Sequence, residues 1–94
     1  MTVQVLLPGV LAALTGGEKH LAVDPTGDTL GDLLDALAAE HPLLGRRIRD
    51  ENGQVRRFVN VYVDGEDVRY SDGVATPVKD GAVVQVLPSV AGGC

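Results

Sequence analysis

The residues whose types and spacing are best suited to chemistry are the last five, Val90-Ala91-Gly92-Gly93-Cys94. Gly92 and Gly93 lack a Cβ, so their backbone can pass through spaces where any other residue would clash. A slim end of this kind suits a chain terminus that is threaded into the active site of another protein. Because Cys94 follows the glycine pair, Cys94 rather than Gly93 carries the C-terminal carboxylate.

Outside this tail, no residue pattern predicts a metal site or a catalytic site. Metal sites usually need three or four ligands, and the chain has two histidines, His20 and His41, in separate predicted elements. Gly16-Gly17 is not followed by the glycine or lysine spacing of a phosphate-binding loop. The carboxylates show no pairing at catalytic spacing.

Length and charge narrow the classes of function. The chain has 94 residues and a formal net charge of −5, which fits one domain and argues against nucleic-acid binding, since that depends on phosphate neutralisation by Lys and Arg. Five arginines nevertheless lie close together in sequence, and we interpret them as a solvated basic patch, with a docking role as the alternative. They are Arg46, Arg47, Arg49, Arg56 and Arg57.

Targeting signals and disulfides are not expected. No apolar run approaches the ~18–20 residues that span a bilayer, and the N-terminus does not resemble a signal peptide. The single cysteine cannot form an internal disulfide. These features predict a cytoplasmic protein without membrane contact.

Hydrophobic periodicity predicts four strands and one main helix. Alternation of apolar and polar residues predicts the strands, and Gly, Pro and Asp-Gly clusters mark the turns. The first two strands are expected to form a hairpin, and the first and last to lie side by side in the sheet centre. Residues 43–54 are expected to form a loop with a short turn of helix. The predicted strands are 2–7, 19–23, 58–63 and 82–87.

The helix is predicted to begin after Thr29, whose side chain and that of Asp32 can satisfy each other's backbone N–H groups. Apolar residues then recur at helical spacing, and His41-Pro42 is expected to end the helix. The resulting order is that of an α+β protein with the β-grasp (ubiquitin-like) fold, in which one main helix covers a mixed sheet. We expect this domain over 1–88 and a flexible tail over 89–94. The apolar stripe consists of Leu30, Leu33, Leu34, Leu37 and Ala38.

A second candidate site is the sheet face opposite the helix. If Val59, Val61 and Val63 point inward, the residues between them point outward. Scattered apolar residues are common on protein surfaces, but a cluster beside the tail would let a partner hold the body and the tail together. The predicted partner-binding patch consists of Leu6, Phe58, Tyr62 and Leu87.

The chain resembles the ubiquitin-like sulfur carriers of the MoaD/ThiS family, and within it the actinobacterial CysO-like branch that serves cysteine synthesis. The resemblance extends over nearly the whole chain. Its strongest part is the turn and strand from Asp80-Gly81 that lead into Pro88-Ser89-Val90-Ala91-Gly92-Gly93. The other resembling segments are 15–17, 27–31, 57–63 and 66–70.

This resemblance implies a carrier that is not an enzyme and binds no cofactor itself. An ATP-dependent adenylating and sulfurtransferase enzyme would activate Gly93, and a sulfur donor would convert it to a thiocarboxylate. A PLP-dependent cysteine synthase would consume that sulfur, and a JAMM-type zinc metallopeptidase would release cysteine from the last glycine. The carrier alone is expected to be a monomer. Molybdopterin, thiamin or a specialised metabolite is an alternative destination for the sulfur.

Two other classes of protein remain open. Ubiquitin-like protein modifiers attach to lysines through a Gly-Gly end, and a plain β-grasp interaction domain needs no chemistry at Gly93. Fold-level analogy alone does not separate these classes.

Cys94 is the departure from the family pattern, because Gly93 cannot be adenylated while the Gly93–Cys94 bond stands. Cys94 is either an encoded residue that a peptidase removes, or the cysteine adduct of the working carrier. These two are the same molecule chemically. A role for Cys94 as a nucleophile or conjugation tag is disfavoured, because a reactive thiolate needs a neighbouring base or cation.

Overall fold

A computed structural model of the protein describes residues 2–88, which form a five-stranded mixed sheet with the helices packed on one face. None of the helices in this range has the length and apolar character needed to cross a bilayer. The strands are β1 (Val3–Leu6), β2 (His20–Val23), β3 (Val59–Val63), β4 (Glu66–Asp67) and β5 (Val83–Pro88). The helices are α1 (Gly9–Ala12), α2 (Leu30–Glu40) and α3 (Pro42–Ile48), with 3-10 turns at Ala13–Thr15, Val68–Tyr70 and Gly73–Ala75.

The sheet topology confirms the predicted β-grasp fold. The strand order is β2-β1-β5-β3-β4. Strands β1 and β5 run parallel in the centre, and every other neighbouring pair is antiparallel. The predicted hairpin of the first two strands and the central position of the first and last strands are both confirmed. The predicted tail, 89–94, lies outside the described residues.

Helix α2 begins where the sequence predicts. The Thr29 hydroxyl oxygen accepts a hydrogen bond from the backbone N–H of Asp32 at 3.2 Å. The Asp32 carboxylate accepts one from the backbone N–H of Thr29 at 3.3 Å, which completes the capping box. At the other end, His41 has φ −134° and ψ 78° and leaves the helix, because Pro42 disfavours the helical conformation in the residue before it.

The core lies between α2 and the sheet. The predicted leucine stripe of α2 is buried, with exposures of 0–1% for Leu30, Leu33, Leu34 and Leu37. All the strand valines that were expected to face the helix are also buried. Since the chain has one phenylalanine, two tyrosines and no tryptophan, this core is built from aliphatic side chains alone. The valines are Val3, Val5, Val59, Val61, Val63, Val84 and Val86.

Helix α3 is longer than the short turn that the sequence predicts. Proline is favourable in the first turn of a helix, and Pro42 begins this seven-residue one. Leu44 and Ile48 lie four residues apart on one side and are fully buried. Gly45 lies against α2 so closely that a Cβ there would be 2.5 Å from the Cβ of Ala38. The missing side chain is what lets the two helices touch.

The two predicted Asp-Gly turns are confirmed. Asp64 and Gly65 have φ of 49° and 89°, the conformation of a type I′ turn, and they join β3 to β4. The carboxylate of Asp64 accepts a hydrogen bond from the backbone N–H of Val83 at 2.9 Å, which ties this turn to the start of β5. Gly81 has φ 82° and turns the chain into β5.

Replacing Thr29 by alanine is expected to lower the free energy of unfolding by about 1 kcal/mol, because the first turn of α2 loses its side-chain acceptor. Thr29→Ser keeps the hydroxyl and serves as the control. Urea unfolding followed by circular dichroism measures both variants. Equal loss of stability in both would contradict this role of the hydroxyl.

Replacing Gly45 by alanine is expected to destabilise the protein by about 1–3 kcal/mol, because the new methyl group overlaps Ala38 and forces α2 and α3 apart. Gly9→Ala is the matched control, since a Cβ at Gly9 meets nothing closer than 3.9 Å. Thermal unfolding of the two variants makes the comparison. A melting temperature for Gly45→Ala at or above that of Gly9→Ala would show that the helices can move apart without cost.

Candidate functional site

The predicted tail site, including Gly93 and Cys94, lies outside the described residues, so the structure defines the place from which the tail leaves the domain. The last described residue is Pro88, at the end of β5. In the sheet register Pro88 lies opposite Val59 of β3. The tail therefore starts from the central strand at one end of the sheet.

The strand that leads into the tail is paired on both sides over its first half and with β3 alone over its last residues. Strand β5 pairs with β1 through residues Val83 to Gln85 and with β3 through residues Val84 to Pro88. The side chains of Val84 and Val86 are completely buried, at 0% exposure. At the other end of the strand, the backbone N–H of Gln4 donates to the carbonyl of Ala82 at 2.9 Å. These contacts fix where the tail begins.

Three residues of the predicted patch lie together on the open face of the sheet. Gln85 of β5 lies opposite Leu6 on one neighbouring strand, β1, and opposite Tyr62 on the other, β3. Leu87 is the next residue on that face of β5 and lies opposite Asn60. Leu6, Tyr62 and Leu87 are all half-buried. The register thus brings them together beside the place where the tail leaves.

Phe58, the fourth residue of the predicted patch, does not belong to the strand. Strand β3 begins at Val59, one residue later than predicted, because the backbone N–H of Val59 closes a turn onto the carbonyl of Arg56 at 3.0 Å. The guanidinium of Arg69 donates to the carbonyls of Arg57 and Val59 at 2.8 and 3.0 Å, on either side of Phe58. Phe58 is left 66% exposed in this turn.

Phe58 instead lines a surface groove of about 490 Å³ between α1, α3 and the start of β3. We call this the arginine groove; it is lined by Val10, Leu11, Arg46, Arg47, Arg56 and Phe58. Val59, the residue opposite Pro88, completes the lining. The groove was missed at the sequence level because its residues come from three separate segments. The arginine cluster was the one sequence signal for it.

The clustered arginines divide into two kinds in the structure. Arg49 is half-buried and forms an ion pair with Asp35 at 2.6 Å, the one ion pair within residues 2–88. The side chains of Arg46, Arg47, Arg56 and Arg57 are exposed. The Nε of Arg56 donates to the backbone carbonyl of Arg46 at 2.7 Å, which links the groove's two basic segments. The basic patch therefore excludes Arg49.

The remaining candidate ligands are dispersed. Over the described range 2–88, no three His, Cys, Asp or Glu side chains lie close enough together to hold a metal ion. The ring of His20 hydrogen-bonds to the side chain of Gln4 on the neighbouring strand. His41 lies between α2 and α3, where it ends one helix and precedes the other.

Comparison with known proteins gives relatives that match over nearly the whole chain. The matching family model is that of the ThiS family, over residues 5–93. The sulfur carrier protein CysO of Mycobacterium tuberculosis is 45% identical over 95 residues, covering 99% of this chain and 100% of that protein. Its crystal structure has a TM-score of 0.82 at 43% identity, covering 94% of this chain and 99% of that one.

Two further relatives have names that refer to different roles. The crystal structure of the Amycolatopsis orientalis BexX/CysO complex has a chain with a TM-score of 0.77 at 39% identity, covering 94% of this chain and 96% of that one. Small archaeal modifier protein 3 of Haloferax volcanii is 48% identical over 66 residues, covering 69% of this chain and 70% of that protein. The chain therefore belongs to the ThiS family of ubiquitin-like β-grasp proteins, and its relatives there support a role as a sulfur carrier.

Proposed function

We propose that this chain carries sulfur as a thiocarboxylate on Gly93, after removal of Cys94, and delivers it for cysteine biosynthesis. The observation that supports this most directly is the Gly92-Gly93 end that follows central strand β5 in a chain 45% identical to the sulfur carrier CysO. The domain, 1–88, is the part that partners hold, and the tail, 89–94, is the part that they act on.

The proposed chemistry needs no catalytic side chain on the carrier. The Gly93 carboxylate attacks the α-phosphorus of ATP, and pyrophosphate leaves to give an acyl-adenylate. A hydrosulfide ion from a sulfur donor then attacks the Gly93 carbonyl, AMP leaves and the S–H proton is lost to water, so that one carboxylate oxygen is replaced by sulfur. The product is an anionic sulfur nucleophile. In this scheme the carrier is not an enzyme, and ATP, PLP and zinc are bound by its partners.

The position of β5 supports this role. Five residues, 89–93, separate the end of the sheet from the reacting carbonyl, and an extended chain of that length reaches about 17 Å. The Gly93 carbonyl can therefore enter a buried active site while the domain stays outside. A body that holds residue 88 firmly gives the partner a fixed starting point for the tail.

The proposed partners follow from this chemistry. They are an ATP-dependent adenylating and sulfurtransferase enzyme, a PLP-dependent cysteine synthase or another sulfur acceptor enzyme, and a JAMM-type zinc metallopeptidase. That a CysO relative is named in a complex with BexX supports docking onto partner proteins. We place the carrier in the cytoplasm as a monomer, without nucleic-acid or membrane partners. Molybdopterin, thiamin or a specialised metabolite remains the alternative destination.

A protein modifier is the second candidate function, and the 48% identity to Small archaeal modifier protein 3 supports it. A modifier also activates its terminal glycine but transfers it to a lysine of another protein. Isopeptide-linked species of higher mass in the native host would identify a modifier. A thiocarboxylate on the purified, trimmed protein would identify a carrier.

The chain ending at Gly93 is expected to gain the mass of one sulfur in place of one oxygen when it is incubated with its adenylating enzyme, ATP and a sulfide donor. The full-length chain is the matched control and is expected to stay unmodified, because Cys94 occupies the carboxylate that must react. Intact-mass spectrometry reads both. Conversion of the full-length chain without loss of Cys94, or no conversion of the trimmed chain, would overturn the proposal.

Replacing Gly93 by alanine in the trimmed chain is expected to slow thiocarboxylate formation about a hundredfold, because a small displacement of the reacting carbonyl is enough to cost that much. Ala91→Gly keeps the tail slim and is expected to react at the normal rate. Initial rates of thiocarboxylate formation, followed by intact-mass spectrometry, make the comparison. An unchanged rate for Gly93→Ala would contradict the need for glycine at this position, whereas a Gly93→Ala change that leaves all cellular function intact would favour a plain interaction domain.

A further inference from the structure

The arginine groove concentrates positive charge on an acidic protein. The chain has 13 Asp and Glu residues against 8 Lys and Arg. Arg46, Arg47 and Arg56 nevertheless line one groove. Within residues 2–88, none of these three forms an ion pair with a carboxylate. The groove therefore has a positive local charge that attracts negatively charged groups, although the net charge of the chain is negative.

The same groove exposes apolar side chains. Val10 is 71% exposed and Phe58 is 66% exposed, and Leu11 between them in the lining is half-buried. Aromatic and arginine side chains together are enriched in the parts of protein surfaces that contribute most to binding. The lining thus matches a protein partner better than it matches a free anion.

The groove is held in shape before any partner arrives. The Nε of Arg56 donates to the carbonyl of Arg46, and the backbone N–H of Arg56 donates to the carbonyl of Ile48 at 2.9 Å. Arg69 fixes the turn that carries Phe58 through the two flanking carbonyls. A preformed groove loses less conformational entropy on binding than a mobile one.

Three carboxylates, those of Asp35, Asp50 and Glu51, line a hollow beside Arg46. Two of them are already engaged within the domain, Asp35 in its ion pair with Arg49 and Asp50 in its own turn. Asp50 lies with Arg56 and Phe58 around a neighbouring hollow. Its Oδ1 accepts hydrogen bonds from the backbone N–H groups of Asn52 and Gln54 at 2.9 and 3.1 Å. Asp50 thereby holds its own turn together, and within residues 2–88 neither Asp50 nor Glu51 forms an ion pair with the arginines of the groove.

The groove adjoins the place from which the tail leaves. Val59 lines the groove and lies opposite Pro88 in the sheet. An enzyme that takes Gly93 into its active site must come within about 17 Å of Pro88, since that is the reach of five extended residues. The groove therefore lies within the part of the surface that such an enzyme can reach while it holds the tail.

We propose that the arginine groove docks an acidic segment with an apolar anchor side chain, carried by the enzyme that adenylates Gly93. The anchor lies against Phe58 and Val10, and the carboxylates pair with Arg46, Arg47 and Arg56. This surface is distinct from the open sheet face of Leu6, Tyr62 and Leu87. The inference rests on the proposed function, because it assigns the groove to the enzyme of that reaction.

The test measures ATP–pyrophosphate exchange by the adenylating enzyme of the same organism at increasing concentrations of carrier ending at Gly93. Arg47→Glu is expected to raise KM for the carrier about tenfold at low salt while kcat stays the same, because the contact is remote from the reacting carbonyl. Lys79→Glu is the matched control, because it makes the same charge change at an exposed position. Lys79 precedes the first residue of β5, at the end of the strand opposite to the one from which the tail leaves. The KM of this control is expected to stay within about twofold.

Phe58→Ala tests the apolar part of the groove and is expected to raise KM about tenfold. Tyr70→Ala is its control, since Tyr70 is 91% exposed and does not line the groove. Circular dichroism establishes that each variant is folded. For Arg47→Glu, added salt is expected to shrink the difference from the unmodified carrier, because salt screens exposed charges.

The outcomes separate the two proposals. If the unmodified trimmed carrier supports exchange but Arg47→Glu and Phe58→Ala behave like their controls, the docking proposal is wrong, while the adenylation of Gly93 that the carrier function requires is upheld. If the unmodified carrier supports no exchange, both are wrong. If the carrier binds a DNA or RNA oligonucleotide in a gel-shift assay and Arg47→Glu abolishes that binding, the groove serves nucleic acid and the docking proposal is again overturned.

Discussion

The pairing of β5 with β1 on one side and β3 on the other is the interaction on which the rest of the molecule depends. It buries Val84 and Val86 completely, and it joins the pair of strands β1 and β2 to the pair β3 and β4 in one sheet. The same pairing determines which residues reach the open face and where the tail begins. A slip of one residue in β5 would turn its buried valines outward and move Gln85 and Leu87 into the core.

Aliphatic packing makes this sheet stable without help from large aromatic residues. Leucines of α2 cover the valines of the central strands, and Leu44 and Ile48 of α3 close the core at its side. Small side chains fill space only when the elements approach closely, and the contact between Gly45 of α3 and Ala38 of α2 is one such approach between two helices. Close packing of a core made of small aliphatic side chains thus explains why position 45 is a glycine.

Local patterns were enough to predict most of this fold. The capping residues of α2, its leucine stripe and the Asp-Gly turns each act within a few residues, so their signals survive in the sequence. Helix α3 was underestimated because its three large apolar residues, Leu43, Leu44 and Ile48, lie in a helix of only seven residues, and Leu43 is exposed, so they give little periodicity. The position of Phe58 depends on Arg69, which lies in a different segment, and the groove joins segments around residues 10, 46 and 58. Contacts between distant segments of this kind leave no periodic pattern to read.

The central position of β5 also has a mechanical consequence. A partner that grips the tail pulls along the strand axis, and the hydrogen bonds to the neighbouring strands lie across that direction. Such a force shears both ladders at once instead of peeling them open one bond at a time. A terminal strand at the sheet edge would lack the second ladder. The fold therefore resists a pulling force that is applied to the domain through its C-terminal end.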